Sequence, residues 1–307
     1  MSRRESGRGA WTPAKRAFLA RVEEVLDGLR DYWPLTLRQV YYQLVAAGDI
    51  ENRHTAYQKL SRVLVQARLD GHVAWDAIED RARSVLVSAG WDDAADFVRD
   101  QTGDYLAGYR RDLLRAQDHA LEVWVEKDAL SHVCHRAAFP YCVPVVVARG
   151  FSSVSYLHEA AKRIRHNASR GKGTVILYFG DLDPSGYEML PAMLFTLEQE
   201  MGLQGWVTGI RCALTPDQVK EHGLPTNPDA LKHTDTRAKK YIERFGNVAV
   251  ELDALRPDIL EDLVRDSIES WLDEGLLETE RRAEAAERER LEVLREKVVA
   301  LIEAENA

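Results

Sequence analysis

Three carboxylates define the chemistry this chain could perform. Glu126 closes the apolar run Leu121–Val125, within Trp124-Val-Glu-Lys-Asp128. Asp181 and Asp183 follow the apolar run Thr174–Phe179, within Phe179-Gly-Asp-Leu-Asp-Pro-Ser-Gly186. The two acidic points are 55 residues apart, about two βα units. That spacing puts both at the carboxyl ends of parallel strands, where α/β sheets place their sites. Clustered carboxylates repel one another and call for a cation. Hard oxygen donors of this kind suit Mg²⁺, which keeps waters and bridges to phosphates. The Asp-Pro-Ser-Gly stretch is also good turn and helix-cap chemistry, so a structural reading stands beside the metal reading. Three acids at the ends of buried strands favour the metal.

The elements that must position these acids alternate from Leu121 onward. Strands are expected at Leu121–Val125, Val143–Val147, Thr174–Phe179, Trp206–Ala213 and Val248–Leu252. Helical stretches about Ser153–His166 and Tyr187–Met201 lie between them, and a parallel α/β domain follows. The N-terminal part reads differently. Pro13 opens one helix, with Phe18, Val22, Val25, Leu26 and Leu29 at helical spacing. Thr36 is a good N-cap for a second, and a third covers about Thr55–Asp70. Gly71 stops it, and His72–Trp75 reads as a short strand or wing. Three helices and a small wing make a winged-helix pattern, whose third helix usually enters the major groove of DNA. Here that helix displays Lys59, Arg62 and Arg68.

The domain layout expected is a basic arm (1–11), a winged helix (12–89), a helical connector (90–118), an α/β domain (119–275) and an acidic C-terminal helix (276–307). Net charge is −9, but it is unevenly spread. Residues 251–307 carry 8 basic and 18 acidic residues, whereas residues 1–70 carry 12 basic and 8 acidic. Overall acidity therefore does not exclude DNA. Three cysteines without a C-x-x-C fit a reducing compartment. The first nine residues lack an apolar core, and the longest apolar run, Ala137–Ala148, is interrupted by Pro140 and Pro144. A signal peptide and a membrane span are not expected, and the protein is placed in the cytoplasm, with the nucleoid. Leu291, Leu294, Val298 and Leu301 share an a/d spacing too short to define a coiled coil.

The acidic pattern resembles that of a Toprim domain, which carries a strand-end glutamate and a downstream Asp-x-Asp bound to Mg²⁺. Val125-Glu-Lys and Gly180-Asp-Leu-Asp-Pro-Ser-Gly are similar to the motifs of the topoisomerase VI A-subunit and meiotic double-strand-break protein family. Ala148-Arg-Gly-Phe151 resembles a further segment of that family, although Ser152 and Ser153 stand where an aspartate is usual. In the family a winged helix precedes Toprim and carries the catalytic tyrosine, with an arginine four residues before it. Arg38-Gln-Val-Tyr-Tyr42 matches that pattern. Taken alone, Tyr41 and Tyr42 would read as core aromatics; the order of motifs raises Tyr42.

The resemblance implies Mg²⁺-dependent strand cleavage by a homodimer on double-stranded DNA, leaving a 5′-phosphotyrosyl link. Tyr42, Arg38 and Glu126 would be catalytic, Glu126, Asp181 and Asp183 would hold the metal, and a separate ATPase subunit is a candidate partner. Arg38 and Tyr42, at i and i+4, share a helix face. A guanidinium there would favour the phenolate and grip phosphate. Lys172, within a basic run with Arg163, Arg165 and Arg170 beside the acidic strand end, is a further candidate DNA contact, with a solvated helix face as the equal alternative for the run. Two alternatives remain open: a Toprim nuclease using water, and a non-catalytic winged-helix DNA-binding protein.

Overall fold

The computed structural model describes residues 10–79, 90–103, 105–148, 154–227, 231 and 236–305. Arg149 to Ser153, and with them most of the Ala148–Phe151 motif, lie outside the described residues, as does the basic arm except for its last two residues. The chain is α/β and mostly helical, with eleven α-helices and two small parallel sheets among the described residues. It divides into two units, Met1–Arg81 with Ala120–Ile268, and Ala82–His119 with Glu269–Ala307.

The first unit begins with three helices, α1 (Pro13–Gly28), α2 (Leu37–Ala46) and α3 (His54–Leu69). Thr12 caps α1, and Pro13 occupies its first turn, where a missing N–H costs nothing. Thr36 and Gln39 close a reciprocal capping box on α2. The Gln39 amide donates to Thr36 Oγ1 (3.2 Å), and the Thr36 amide donates to Gln39 Oε1 (2.8 Å). Leu26, Leu29, Val40, Leu44, Leu60 and Leu64 are buried in this region. The short strand expected at His72–Trp75 lies instead at Ile78–Glu79 (β2), paired in parallel with Leu35–Thr36 (β1). The shift has a visible cause. Gly71 turns the chain at φ +78°, and the Arg68 guanidinium donates to the carbonyls of Trp75 (2.8 Å) and Ile78 (3.0 Å). Those bonds hold Trp75–Ala77 in a 3₁₀ turn and delay the strand.

The second sheet is built from β3 (His119–Val125), β4 (Val145–Val147), β5 (Gly173–Phe179) and β6 (Val207–Ala213), in the order β4-β3-β5-β6. Chain order thus reverses between β3 and β5, which makes that gap the topological switch point. Alternate residues serve opposite faces. Trp124, Ile176 and Tyr178 join Leu157, Ile164, Met189 and Met193 in one core layer, while Val123, Val125, Leu177 and Phe179 are equally buried on the other face. Helices α5 (Ser131–Ala138), α6 (Val154–Ser169), α7 (Pro184–Phe195), α8 (Pro216–Glu221), α9 (Thr236–Phe245) and α10 (Pro257–Glu269) accompany the sheet. The helix expected over Tyr187–Met201 starts earlier, because Asp183 caps it, and relaxes into a π turn over Thr196–Glu200.

The strand expected at Val248–Leu252 is reduced to one antiparallel bridge, Val250 to Leu182. Two residues on, Leu252 N donates to Asp181 Oδ1 (2.7 Å) and not to a neighbouring strand. A 3₁₀ turn, Leu252–Ala254, follows, and α2 packs against it.

The second unit contains α4 (Ala94–Gly103) and the 32-residue α11 (Glu274–Glu305). Arg111 bridges Glu280 and Glu287 of α11, both at 2.5 Å. Among the described residues, no helix is long and apolar enough to cross a membrane.

The capping box fixes where α2 begins and hence where Arg38 points. Thr36→Ala is expected to destabilise the protein by about 1 kcal/mol, read as a lower midpoint in urea unfolding.

Candidate active site

The site begins at the switch point. Glu126 leaves β3 with its amide bonded to Phe179 O of β5 (2.9 Å), so its side chain is fixed against the neighbouring strand end. Glu126 Oε2 accepts the Asp181 amide (2.9 Å) and the Tyr178 hydroxyl (3.4 Å). Two glycines make this approach feasible. A Cβ on Gly180 would stand 2.8 Å from Glu126 Oε2, and one on Gly186 would stand 2.5 Å from the Asp181 carbonyl. Arg211 secures the loop from beneath, donating to the carbonyls of Gly180 and Asp181 (both 3.2 Å) and to that of Gly186.

The three predicted acids therefore meet, but each is partly committed. Asp183 Oδ1 accepts the Gly186 amide (2.7 Å), so Asp183 does serve as the cap of α7. Asp181 spends Oδ1 on Leu252 N and Oδ2 on the Lys127 ammonium (3.0 Å). Burial pushes the Glu126 carboxyl up from its ordinary range, and the charge of Asp183 adds to this against the pull of the Asp181 amide and Lys127. Burial likewise pushes Asp181 up to about 7, with Lys127 pulling it down and Glu126 adding to the rise. Among the described residues, no group of three or more His, Cys, Asp or Glu side chains is arranged to hold a metal ion.

The cation seated among these acids belongs to the chain itself. Lys127 Nζ lies 2.7 Å from Asp253 Oδ2, 2.9 Å from Glu251 Oε2 and 3.0 Å from Asp181 Oδ2. Burial opposes its charge, but the three carboxylates outweigh burial and hold the ammonium above its ordinary value.

Glu251 also reaches the N-terminal helices. Arg38 Nη1 lies 2.5 Å from Glu251 Oε2, and Tyr42 lines the same pocket as Glu251. Sequence spacing puts Arg38 and Tyr42 on one face of α2 and suggests that the guanidinium favours the phenolate. In the structure Arg38 does favour the phenolate, but burial and Glu251 outweigh it. Both residues converge on Glu251, and Tyr42 is held above its ordinary pKa, first by burial and then by the Glu251 charge, with Arg38 opposing only in part. Burial would raise Glu251 too, but Lys127, Arg38 and Tyr42 together hold it below its ordinary range. Tyr41 plays a different part. Its hydroxyl donates to Asn52 Oδ1 (3.0 Å), and its ring meets those of Tyr42 and Tyr57 edge-on, at 5.2 and 5.3 Å.

Two hollows meet at Arg38. A cleft of about 810 Å³ runs along Arg38, Tyr57, Arg68, Glu126, Lys127 and Asp253. A smaller pocket of about 300 Å³ contains Arg38, Tyr42, Arg53, His54, Tyr57 and Glu251.

The predicted DNA contacts separate. Arg68 lines the large cleft, though its guanidinium also stacks on Trp75 (4.5 Å). Lys59 and Arg62 are exposed on α3 and line another hollow with Thr12 and Lys15. Lys172 does not lie beside the acids. It precedes β5, so the whole strand, about 20 Å, separates it from Asp181. In the same basic run Arg163 is paired with buried Glu122 (2.8 Å) and Arg165 donates to Met201 O (2.8 Å).

Sequence reasoning missed Lys127, Glu251 and Asp253 as site residues. A signal was present: Val250-Glu-Leu-Asp253 repeats the pattern of Gly180-Asp-Leu-Asp183, an acid-Leu-acid triplet following a strand-like run. No protein-family model matches the chain, and a search of curated proteins finds no match.

Lys127→Met leaves three largely buried carboxylates facing one another. It is expected to cost about 3 kcal/mol in urea unfolding, with Asp253→Asn in the same background restoring part of the loss. Tyr42 titrates higher folded than unfolded. Its contribution is therefore kept in full below about pH 10 and lost as pH rises beyond. Tyr42→Phe should flatten that alkaline loss relative to wild type, as followed by thermal unfolding across the pH series.

Proposed function

We propose that the chain is a DNA strand-cleaving enzyme of the topoisomerase VI A-subunit type, with a winged-helix region, α1 to β2, preceding a Toprim domain built on β3 to β6. The observation that carries this reading is the meeting of α2 with the acids: Arg38 pairs with Glu251, which lines one pocket with Tyr42 and shares Lys127 with Asp181. An aromatic hydroxyl, a guanidinium and clustered carboxylates are the groups that phosphoryl transfer from DNA to tyrosine requires.

In this reading Tyr42 attacks a backbone phosphorus and becomes linked to the 5′-phosphate. Arg38, at the wall common to both hollows, binds the phosphoryl oxygens. Arg68 and Lys127 make the cleft attractive to a phosphodiester, and Lys59 and Arg62 extend the positive surface of α3. By the family resemblance, Glu126 would also handle the proton of the departing 3′-oxygen. The donor chemistry fits Mg²⁺: Glu126 and Asp183 each keep one carboxylate oxygen beyond their internal bonds, and Mg²⁺ commonly takes one or two carboxylates plus phosphate oxygens. Asp181 would join them only by giving up Lys127. Bound there, the ion would supply charge neutralisation for the phosphate. A twofold homodimer would present two such sites to the two strands of a duplex, with a separate ATPase subunit as partner for strand passage.

The burial of Tyr42 favours a second reading, a Mg²⁺-dependent nuclease in which water attacks and Tyr42 is structural. One assay separates the two. Purified protein is incubated with supercoiled plasmid and Mg²⁺, quenched with SDS and run with and without protease, beside Tyr42→Phe and a chelator control. Transesterification gives nicked or linear DNA that stays protein-bound until protease treatment and disappears in Tyr42→Phe and with chelator. Free ends that persist in Tyr42→Phe would establish the nuclease instead.

A further inference from the structure

The inference rests on the reading of Tyr42 as the attacking group and concerns the proton that must leave it. We propose that Glu251 is the general base that takes the Tyr42 proton. The geometry supplies the path: Tyr42 and Glu251 line the same pocket of about 300 Å³, and Glu251 is the carboxylate in it. Tyr42 is 3% exposed, so bulk water is a poor recipient.

Glu251 is also in the accepting form. Although it is buried, Lys127 (2.9 Å) and Arg38 (2.5 Å) keep it a carboxylate. These same cations make it a weak base at rest, and the placement of Arg38 resolves this. Arg38 lines both hollows, so a phosphodiester entering either one competes with Glu251 for the guanidinium. Losing one of two cations raises the basicity of the carboxylate as the substrate arrives. The other charged or titratable groups around the phenol are Tyr41, Arg53, His54 and Tyr57 from the helical side and Lys127 from the end of β3.

The step balances. The proton passes from Tyr42 Oη to Glu251, the Oη–P bond forms as the P–O3′ bond breaks, and the 3′-oxygen leaves as a hydroxyl on taking a proton from water or a neighbouring acid. Glu251 then returns its proton to the hydroxide or carboxylate so formed.

The test uses the full chain with supercoiled plasmid and Mg²⁺, comparing wild type, Glu251→Gln, Glu251→Asp and Tyr42→Phe, with circular dichroism as the folding control. Glu251→Gln keeps the shape and a hydrogen-bond acceptor but removes the base. It should slow formation of protein-linked DNA by about 10²–10⁴-fold without weakening the DNA gel shift, since Arg38 loses its competitor. Its residual rate should climb about tenfold per pH unit above neutrality, as the phenol ionises on its own, while wild type stays flatter. Glu251→Asp, which retains a carboxylate, should fall between the two. Replacing Tyr42 with 3,5-difluorotyrosine, a more acidic phenol, should recover much of the loss in Glu251→Gln, a rescue that a merely structural role would not give. A Glu251→Gln rate within about threefold of wild type would overturn the proposal and leave the tyrosine reading standing. So would difluorotyrosine failing to rescue it, or Asp behaving no better than Gln. Should wild type itself form no protein-linked DNA, the tyrosine reading falls and takes this proposal with it, which is recognisable because every variant is then equally silent.

Discussion

The ammonium of Lys127 is the interaction on which the rest of this site depends. Its three partners come from two distant parts of the chain: Asp181 from the end of β5, and Glu251 and Asp253 from the turn that α2 packs against. Four charges withdrawn from water are tolerable only when each is closely paired. The lysine therefore acts as a structural cation that ties a strand end, a turn and a helix together. Without it, Asp181 and Asp253 would repel at close range, and α2 would lose the surface that receives Arg38 and Tyr42. An ammonium on a flexible stem fills this place in a way that a rigid hydrophobic plug would not, since it can be displaced.

Around that centre the backbone is shaped to let acids approach one another. Gly180 and Gly186 leave room for the Glu126 carboxylate where any side chain would intrude. Arg211 gathers the carbonyls of the same loop and stacks on Tyr178 (5.2 Å) and Tyr187 (5.4 Å). The loop is thus held by carbonyl contacts from below and carboxylate contacts from above, which leaves little freedom for Asp181 and Asp183 to move apart.

Much of this was legible in the sequence, for physical reasons. Parallel strands buried on both faces are continuous apolar runs, so β3 and β5 and the acids ending them are visible directly. Thr36 followed by Gln39 announces the start of α2, because the capping box is a local device. What was hidden depends on distant partners. Lys127 looks like a surface lysine until three carboxylates from elsewhere surround it. The spacing of Arg38 and Tyr42 was read correctly as one helix face, but not the competitor on the facing turn, Glu251. The run at Val248–Leu252 looked like a strand because its composition is that of one; only the Asp181 carboxylate, reaching for the Leu252 amide, shows why the ladder stops.

The contact between Arg38 and Glu251 spans 213 residues of chain. Closing so long a loop is entropically slow compared with forming the local helices on either side of it. During synthesis the N-terminal helices emerge first, and their tyrosine and arginine wait for the segment that completes their surroundings until most of the polypeptide has left the ribosome. A nascent or truncated chain ending before Glu251 therefore carries Arg38 and Tyr42 without the carboxylate that Arg38 pairs with. The surroundings of α2 are thus completed only late in the polypeptide.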